Sequence, residues 1–146
     1  MTIKEEYMDI FTVTQGYYLA HCISADYTLG AGLVKEIDLV YDMKKKLNHF
    51  YPSRNGSVTH VGDALLVDNV FNLVNKIHYY DTATYENLQD ALDDMAYQVN
   101  EKFIKKLAIP CLGCGKDHLS WEIVKEMVIE TFKGTDIEIL ICNIGD

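Results

Sequence analysis

Two glycine-bearing stretches of this sequence have the make-up of an anion cradle. The first, Ser24-Ala25-Asp26-Tyr27-Thr28-Leu29-Gly30-Ala31-Gly32, leads from an apolar, strand-like segment into a helical pattern. The second, Pro110-Cys111-Leu112-Gly113-Cys114-Gly115-Lys116-Asp117-His118-Leu119, again joins an apolar run to a helical one. Glycine lets the backbone come close to a ligand, and a helix starting there adds free N–H groups and the positive end of its dipole. The two glycines around Cys114 also suit a nest of amides about a phosphate oxygen. Asp117 and His118 are the acid and the histidine nearest to that nest. Either stretch alone also fits a glycine turn into a helix with no ligand; two of them in one chain are more informative.

The charge balance says how such a cradle would grip. Arg54 is the sole arginine, so bidentate guanidinium clamps are almost unavailable and a phosphate must be held mainly by backbone N–H groups. A net charge of −9 and an isoelectric point near 4.9 argue against broad binding of nucleic acid or anionic membrane, which depends on clustered Lys and Arg. The N-terminus, MTIKEEYMDIF, carries acids where a secretory signal needs bases, and no apolar run approaches a membrane span. A cytoplasmic protein is expected.

Cys111 and Cys114 form a CxxC pair, which raises zinc and thiol redox chemistry. A structural zinc site needs a second ligand pair, and Cys22 and Cys142 stand alone in apolar runs. A redox CxxC opens a helix directly, whereas here glycines separate it from the next helix. The expectation is reduced thiols, no metal and no cofactor.

The elements that position these stretches follow from periodicity. Short apolar segments at Glu6–Val13 and Tyr17–Ala20 read as strands about a turn at Gln15-Gly16. From Gly32, Leu33, Ile37, Val40 and Tyr41 recur at helical spacing, and Lys44-Lys45-Lys46 would close that helix where cations suit its C-terminus. The stretch from Asn48 to Gly62 reads as loop. Ala64–Val67 and Val70–Asn75 read as a hairpin about Asp68-Asn69. Thr84 caps a second helix with Leu88, Leu92, Met95, Val99 and Phe103 along one face. A strand at Leu107–Leu112, a third helix from about Ser120 to Phe132 and a strand at Ile137–Ile144 complete the chain. At 146 residues one core suffices without staples. The predicted fold class is α/β, a mixed central sheet with helices on both faces in one domain spanning residues 1–146. In such sheets ligands bind beyond the carboxyl ends of the strands, where both glycine stretches fall.

Taken together, Leu19-Ala20-His21-Cys22-Ile23-Ser24, Gly30-Ala31-Gly32, Thr84-Tyr85-Glu86-Asn87-Leu88, Gly113-Cys114-Gly115-Lys116-Asp117 and Trp121-Glu122 resemble the macrodomain family over nearly the whole chain. The resemblance is nearest to the branch of terminal ADP-ribose protein glycohydrolases and ADP-ribose-1″-phosphate phosphatases. It implies a three-layer α/β/α macrodomain-like fold that binds ADP-ribose or an ADP-ribosylated substrate, expected to act as a monomer. By that resemblance Asp9, followed by Ile10, takes the adenine amino group; Met8 stands where a glycine is common. Gly30, Ala31 and Gly32 match the loop beside the diphosphate and distal ribose, and Leu112, Gly113, Cys114, Gly115 and Lys116 match the second phosphate loop. Ser24 matches a position lining the distal ribose, and His21, adjoining the ligand loop, matches a histidine shared within this branch and implied for its phosphatase members, although a strand histidine and a turn-capping serine are equally ordinary.

The resemblance further implies catalysis by Lys76, attacking the anomeric carbon, with Asp117 assisting. A lysine amine attacks only when deprotonated, so Lys76 needs partial burial or activation by a neighbour such as Asp117, which could serve as general base and later as acid. The expected function is hydrolytic removal of ADP-ribose from a modified acceptor such as an acidic side chain. Phosphatase action on ADP-ribose-1″-phosphate, and non-catalytic binding of ADP-ribose or a related nucleotide signal, are the alternatives.

Overall fold

A computed structural model describes residues 1–52, 60–115 and 117–143. The strands are β1 (Thr2–Glu6), β2 (Tyr18–Ser24), β3 (Ala64–Val67), β4 (Val70–Lys76), β5 (Lys106–Ile109) and β6 (Glu138–Cys142). The helices are α1 (Gly32–Tyr41), α2 (Met43–Phe50), α3 (Tyr85–Glu101) and α4 (Trp121–Phe132). The strands form one sheet in the order β1-β6-β5-β2-β4-β3, parallel throughout except for the β3–β4 hairpin. Among the described residues no helix is long and apolar enough to cross a membrane.

Period-two alternation along the strands builds two cores. Ala20, Phe71, Leu73, Leu107, Ile109, Ile139 and Ile141 face α3 and α4, meeting Leu88, Leu92, Met95, Val99, Val124 and Val128. Leu19, Ile23, Val70, Val74, Ala108 and Leu140 face the other way and meet Ile37, Met43 and Leu47 of α1 and α2. The α/β class, the mixed sheet and the two covered faces are therefore as the sequence predicts. So are the Thr84 cap, whose side chain accepts from the Asn87 N–H, and the turn at Asp68, which takes φ 54°.

Four details differ. Glu6–Val13 is not a strand: β1 lies upstream, and Asp9 caps a single 3-10 turn at Ile10–Thr12 by accepting from the Phe11 N–H at 2.9 Å. The helix from Gly32 does not run on to the lysines, because Asp42 turns left-handed (φ 54°) and starts a separate α2 that carries Lys44–Lys46 and reaches Phe50. That break leaves Ile37 buried but Val40 in solvent. Phe103 lies past the end of α3, left-handed (φ 55°) and exposed, so it takes no part in the helix's apolar face. Leu112 falls in the loop beyond β5, and Ile144 and Asn55-Gly56 lie outside the described residues.

One polar pair sits inside the sheet. Asn72 donates from Nδ2 to the Leu65 carbonyl at 3.0 Å, which leaves its Oδ1 to accept from His21 Nε2 on the neighbouring strand β2. Burial, only partly offset by that hydrogen bond, lowers the His21 imidazole to about 4. An unfolded histidine takes up a proton as pH falls through about 6.5, whereas this one stays neutral until about 4. Stability is thus fully present above the upper value and drains away between the two, by about 3 kcal/mol for His21 alone. Urea unfolding of the native chain and of His21→Gln at pH 7.5 and pH 4.5 is expected to show a smaller acid loss in the variant; equal losses would contradict it.

Candidate functional site

Because β5, β2 and β4 are parallel neighbours, the loops after all three emerge on one edge of the sheet. A cleft of about 360 Å³ opens there. The 24–32 loop contributes Ser24, Thr28, Gly30, Ala31 and Gly32 to its wall, and the 110–117 loop contributes Cys111, Leu112, Gly113, Gly115 and Asp117. His21 and Cys22 line it from β2, Leu33 and Val34 from α1, Lys76 from the end of β4 and Tyr79 from the turn that follows. The volume and mixed lining suit a small-molecule ligand.

Asp26 organises the first loop. Its Oδ1 accepts from the Ser24 hydroxyl at 2.6 Å and the Thr28 N–H at 3.0 Å, and its Oδ2 accepts from the Tyr79 N–H at 2.9 Å. Burial alone would raise this carboxyl, but those donors together outweigh it and hold it below the usual carboxylate range. The Ala25 and Asp26 amides donate to the Lys76 and Ile77 carbonyls, so the loop is stitched to the end of β4. Ala31, the residue capping α1, supplies no side-chain acceptor to the helix's first N–H groups. An uncapped helix start facing a cleft is a site for an anion.

The second loop is held by its own backbone: Cys114 N–H to the Cys111 carbonyl, His118 N–H to Gly115 and Leu119 N–H to Gly113. Gly113 sits at φ +74°, and a Cβ there would meet Leu119 Cδ1 at 2.8 Å. At Gly115 a Cβ would meet nothing within 4 Å, so its smallness leaves room beside the cleft rather than serving the loop's own packing.

Between the loops lies one ion pair. Lys76 Nζ donates to Asp117 Oδ1 at 2.6 Å, and both side chains are about nine-tenths buried. The other carboxylate oxygen, Oδ2, accepts from Asn75 Nδ2 at 2.9 Å. Consecutive strand residues normally point to opposite faces, yet Asn75 and Lys76 reach the same carboxylate. The register explains it: Ile23 pairs with Val74 but Ser24 with Lys76, so β4 carries one extra residue at Asn75. The Cys22 thiol lies close by; burial first, and then the charge of Asp117, push it far up, so it stays protonated. Among the described residues no group of three or more His, Cys, Asp or Glu side chains is placed to hold a metal ion.

Lys76, Asp117, His21, Ser24, Gly30, Ala31, Gly32, Leu112, Gly113 and Gly115 thus come together around one cleft. Asp9 and Ile10 do not line it; Asp9 is exposed at its 3-10 turn and Ile10 is buried beneath. Cys114 is also off the wall, its thiol turned back on the Leu112 carbonyl. Lys116 lies outside the described residues, and His118 is exposed. Asp26 and Asn75 were not legible as site residues, although an Asp two positions after Ser24, at the start of a glycine loop, is a turn signal that could have been read.

A protein-family model described as Macro domain matches residues 30–128. A human protein named "ADP-ribose glycohydrolase OARD1" is 33% identical over 136 residues, 91% of this chain and 86% of that protein. The macrodomain of Mycobacterium tuberculosis DarG superposes with a TM-score of 0.82 at 19% identity, covering 97% of each chain. Thermosipho africanus DarTG, solved in complex with ADP-ribose, superposes with a TM-score of 0.72 at 16% identity over 96% of this chain and 41% of that one.

The two glycines give a direct check on the loop geometry. Gly113→Ala forces a left-handed alanine and is expected to lower stability by about 1–2 kcal/mol, read as a lower Tm. Gly115→Ala should leave Tm unchanged. The same Tm for both variants would contradict this geometry.

Proposed function

The chain belongs to the macrodomain family, and from that premise we propose that it is a hydrolase removing ADP-ribose from a modified acceptor such as an acidic side chain. The observation that carries the reading is the Lys76–Asp117 pair, 2.6 Å apart and mostly buried in a cleft walled by two glycine-bearing loops. The names of its relatives, with glycohydrolase activity in one and bound ADP-ribose in another, support it.

In this reading the diphosphate lies against the uncapped start of α1 and the amides of the second loop, which brings the distal ribose over Lys76. The Lys76 ammonium gives a proton to Asp117 Oδ1 and the neutral amine attacks the anomeric carbon. The bond from that carbon to nitrogen forms as the bond to the acceptor breaks, and the acceptor leaves with the bonding pair and takes the proton from Asp117, which is a carboxylate again. Water then displaces the amine: Asp117 takes a proton from the water, the carbon–oxygen bond forms, and Lys76 departs with its electron pair and is reprotonated. Low exposure keeps bulk water from competing at the first step.

Calorimetric titration with ADP-ribose, combined with turnover of ADP-ribosylated protein by Lys76→Ala and Asp117→Ala, tests the reading. Binding is expected, with kcat reduced by at least about a hundredfold in each variant. Turnover at the native rate in either variant would overturn the mechanism. Release of phosphate from ADP-ribose-1″-phosphate in place of ADP-ribose from protein would overturn the substrate.

A further inference from the structure

We infer that Asn75 is a positioning residue for the reaction, one that fixes which oxygen of Asp117 faces the lysine and keeps the other oxygen out of proton transfer. The inference rests on the reading of Lys76 and Asp117 as the reacting pair. Three observations carry it.

Asn75 is fully buried, and its amide nitrogen donates to Asp117 Oδ2 at 2.9 Å while Lys76 occupies Oδ1 at 2.6 Å. Each oxygen of the carboxylate therefore has its own donor. An amide neither gives up nor accepts a proton in water near neutral pH, so only the Oδ1 side can relay one.

The amide's own oxygen, Asn75 Oδ1, is buried and has no hydrogen-bond partner among the described residues. An unsatisfied buried acceptor lowers stability, whereas an aliphatic residue at this core position would carry no such cost. Rotating the amide would satisfy nothing, because it would set two acceptors, Asn75 Oδ1 and Asp117 Oδ2, against each other. The contact with Asp117 is thus what holds the side chain as it stands.

The backbone is bent to make that contact. The extra residue that shifts the register of β4 against β2 is Asn75 itself, and without it Asn75 and Lys76 would face opposite sides of the sheet. A local irregularity in the strand, an orphaned acceptor and a divided carboxylate all follow from delivering two neighbouring side chains to one aspartate.

The test uses two variants of the full chain and the dependence of kcat on pH. Asn75→Leu removes the donor at similar volume; kcat is expected to fall about tenfold or more, with the Kd for ADP-ribose and the KM for ADP-ribosylated protein within about twofold. Asn75→Asp keeps the shape and places two carboxyls about 3 Å apart, where they share one proton. While that proton is present the new residue donates as the amide did; once it is lost, two carboxylates face each other. Asn75→Asp should therefore be active at low pH and lose kcat as pH rises, showing an alkaline limb at a pH where the native chain, measured alongside, keeps its kcat, and this holds even if the leucine variant fails to fold. Native kcat in Asn75→Leu, or a native pH profile in Asn75→Asp, would overturn the assignment. Turnover by Lys76→Ala would instead overturn the catalytic reading beneath it, so the two failures are distinguishable.

Discussion

An ammonium and a carboxylate, each nine-tenths withdrawn from water, are held 2.6 Å apart where the second glycine loop meets the end of β4. Removing two charges from solvent costs several kcal/mol apiece, and their attraction offsets that only when the geometry is fixed and the remaining lone pairs are occupied. Much of the surrounding architecture meets those two conditions. The Asn75 amide takes the second oxygen of Asp117, and the register shift in β4 aims Asn75 and Lys76 at the same carboxylate. The parallel run of β5, β2 and β4 brings the two chain segments carrying the charges to one edge of the sheet.

Asp26 does for the first loop what the ion pair does for the centre. One carboxylate gathers the Ser24 hydroxyl and the Thr28 and Tyr79 amides, tying the loop that opens α1 to the turn that follows Lys76. The helix start and the lysine consequently keep a fixed relation, which a phosphate-bearing ligand spanning both requires. The Ser24 hydroxyl is spent on this turn, so what Ser24 presents to the cleft is its acceptor lone pairs and its backbone. The second loop relies instead on backbone hydrogen bonds and the left-handed Gly113, and it leaves Asp117 free to answer β4.

Much of this was legible in the sequence, and the reason is local. Leu88, Leu92, Met95 and Val99 on one face of α3, the Thr84 cap and the hairpin at Asp68 are patterns within a few residues of each other, and they appear as read, with Phe103 alone falling outside that face. The glycine loops were legible as neighbours because each follows a strand of the sheet, and residues of both line the same cleft. The misreadings come from single turn residues that outweigh composition and from contacts distant in sequence. The apolar stretch Glu6–Val13 has strand composition, but Asp9 claims the Phe11 amide and turns the chain. Asp42 breaks what looks like one continuous helix. Asn75 was invisible because its role depends on a register between β4 and β2 and on a carboxylate forty-two positions away in the chain. Asp9, which the family resemblance implies for the adenine amino group, lies off the cleft wall.

The central claim, that the Lys76 amine attacks the anomeric carbon as nucleophile, is met most directly by trapping. Native chain mixed with ADP-ribosylated protein, quenched within the first turnover with borohydride, which reduces the open-chain imine formed when the ribose ring of the Lys76 adduct opens, and digested, should yield one ADP-ribosyl-bearing peptide by mass spectrometry, with the mass on Lys76. A chain that turns over at its normal rate yet carries no adduct, or carries it on another residue, would contradict the account.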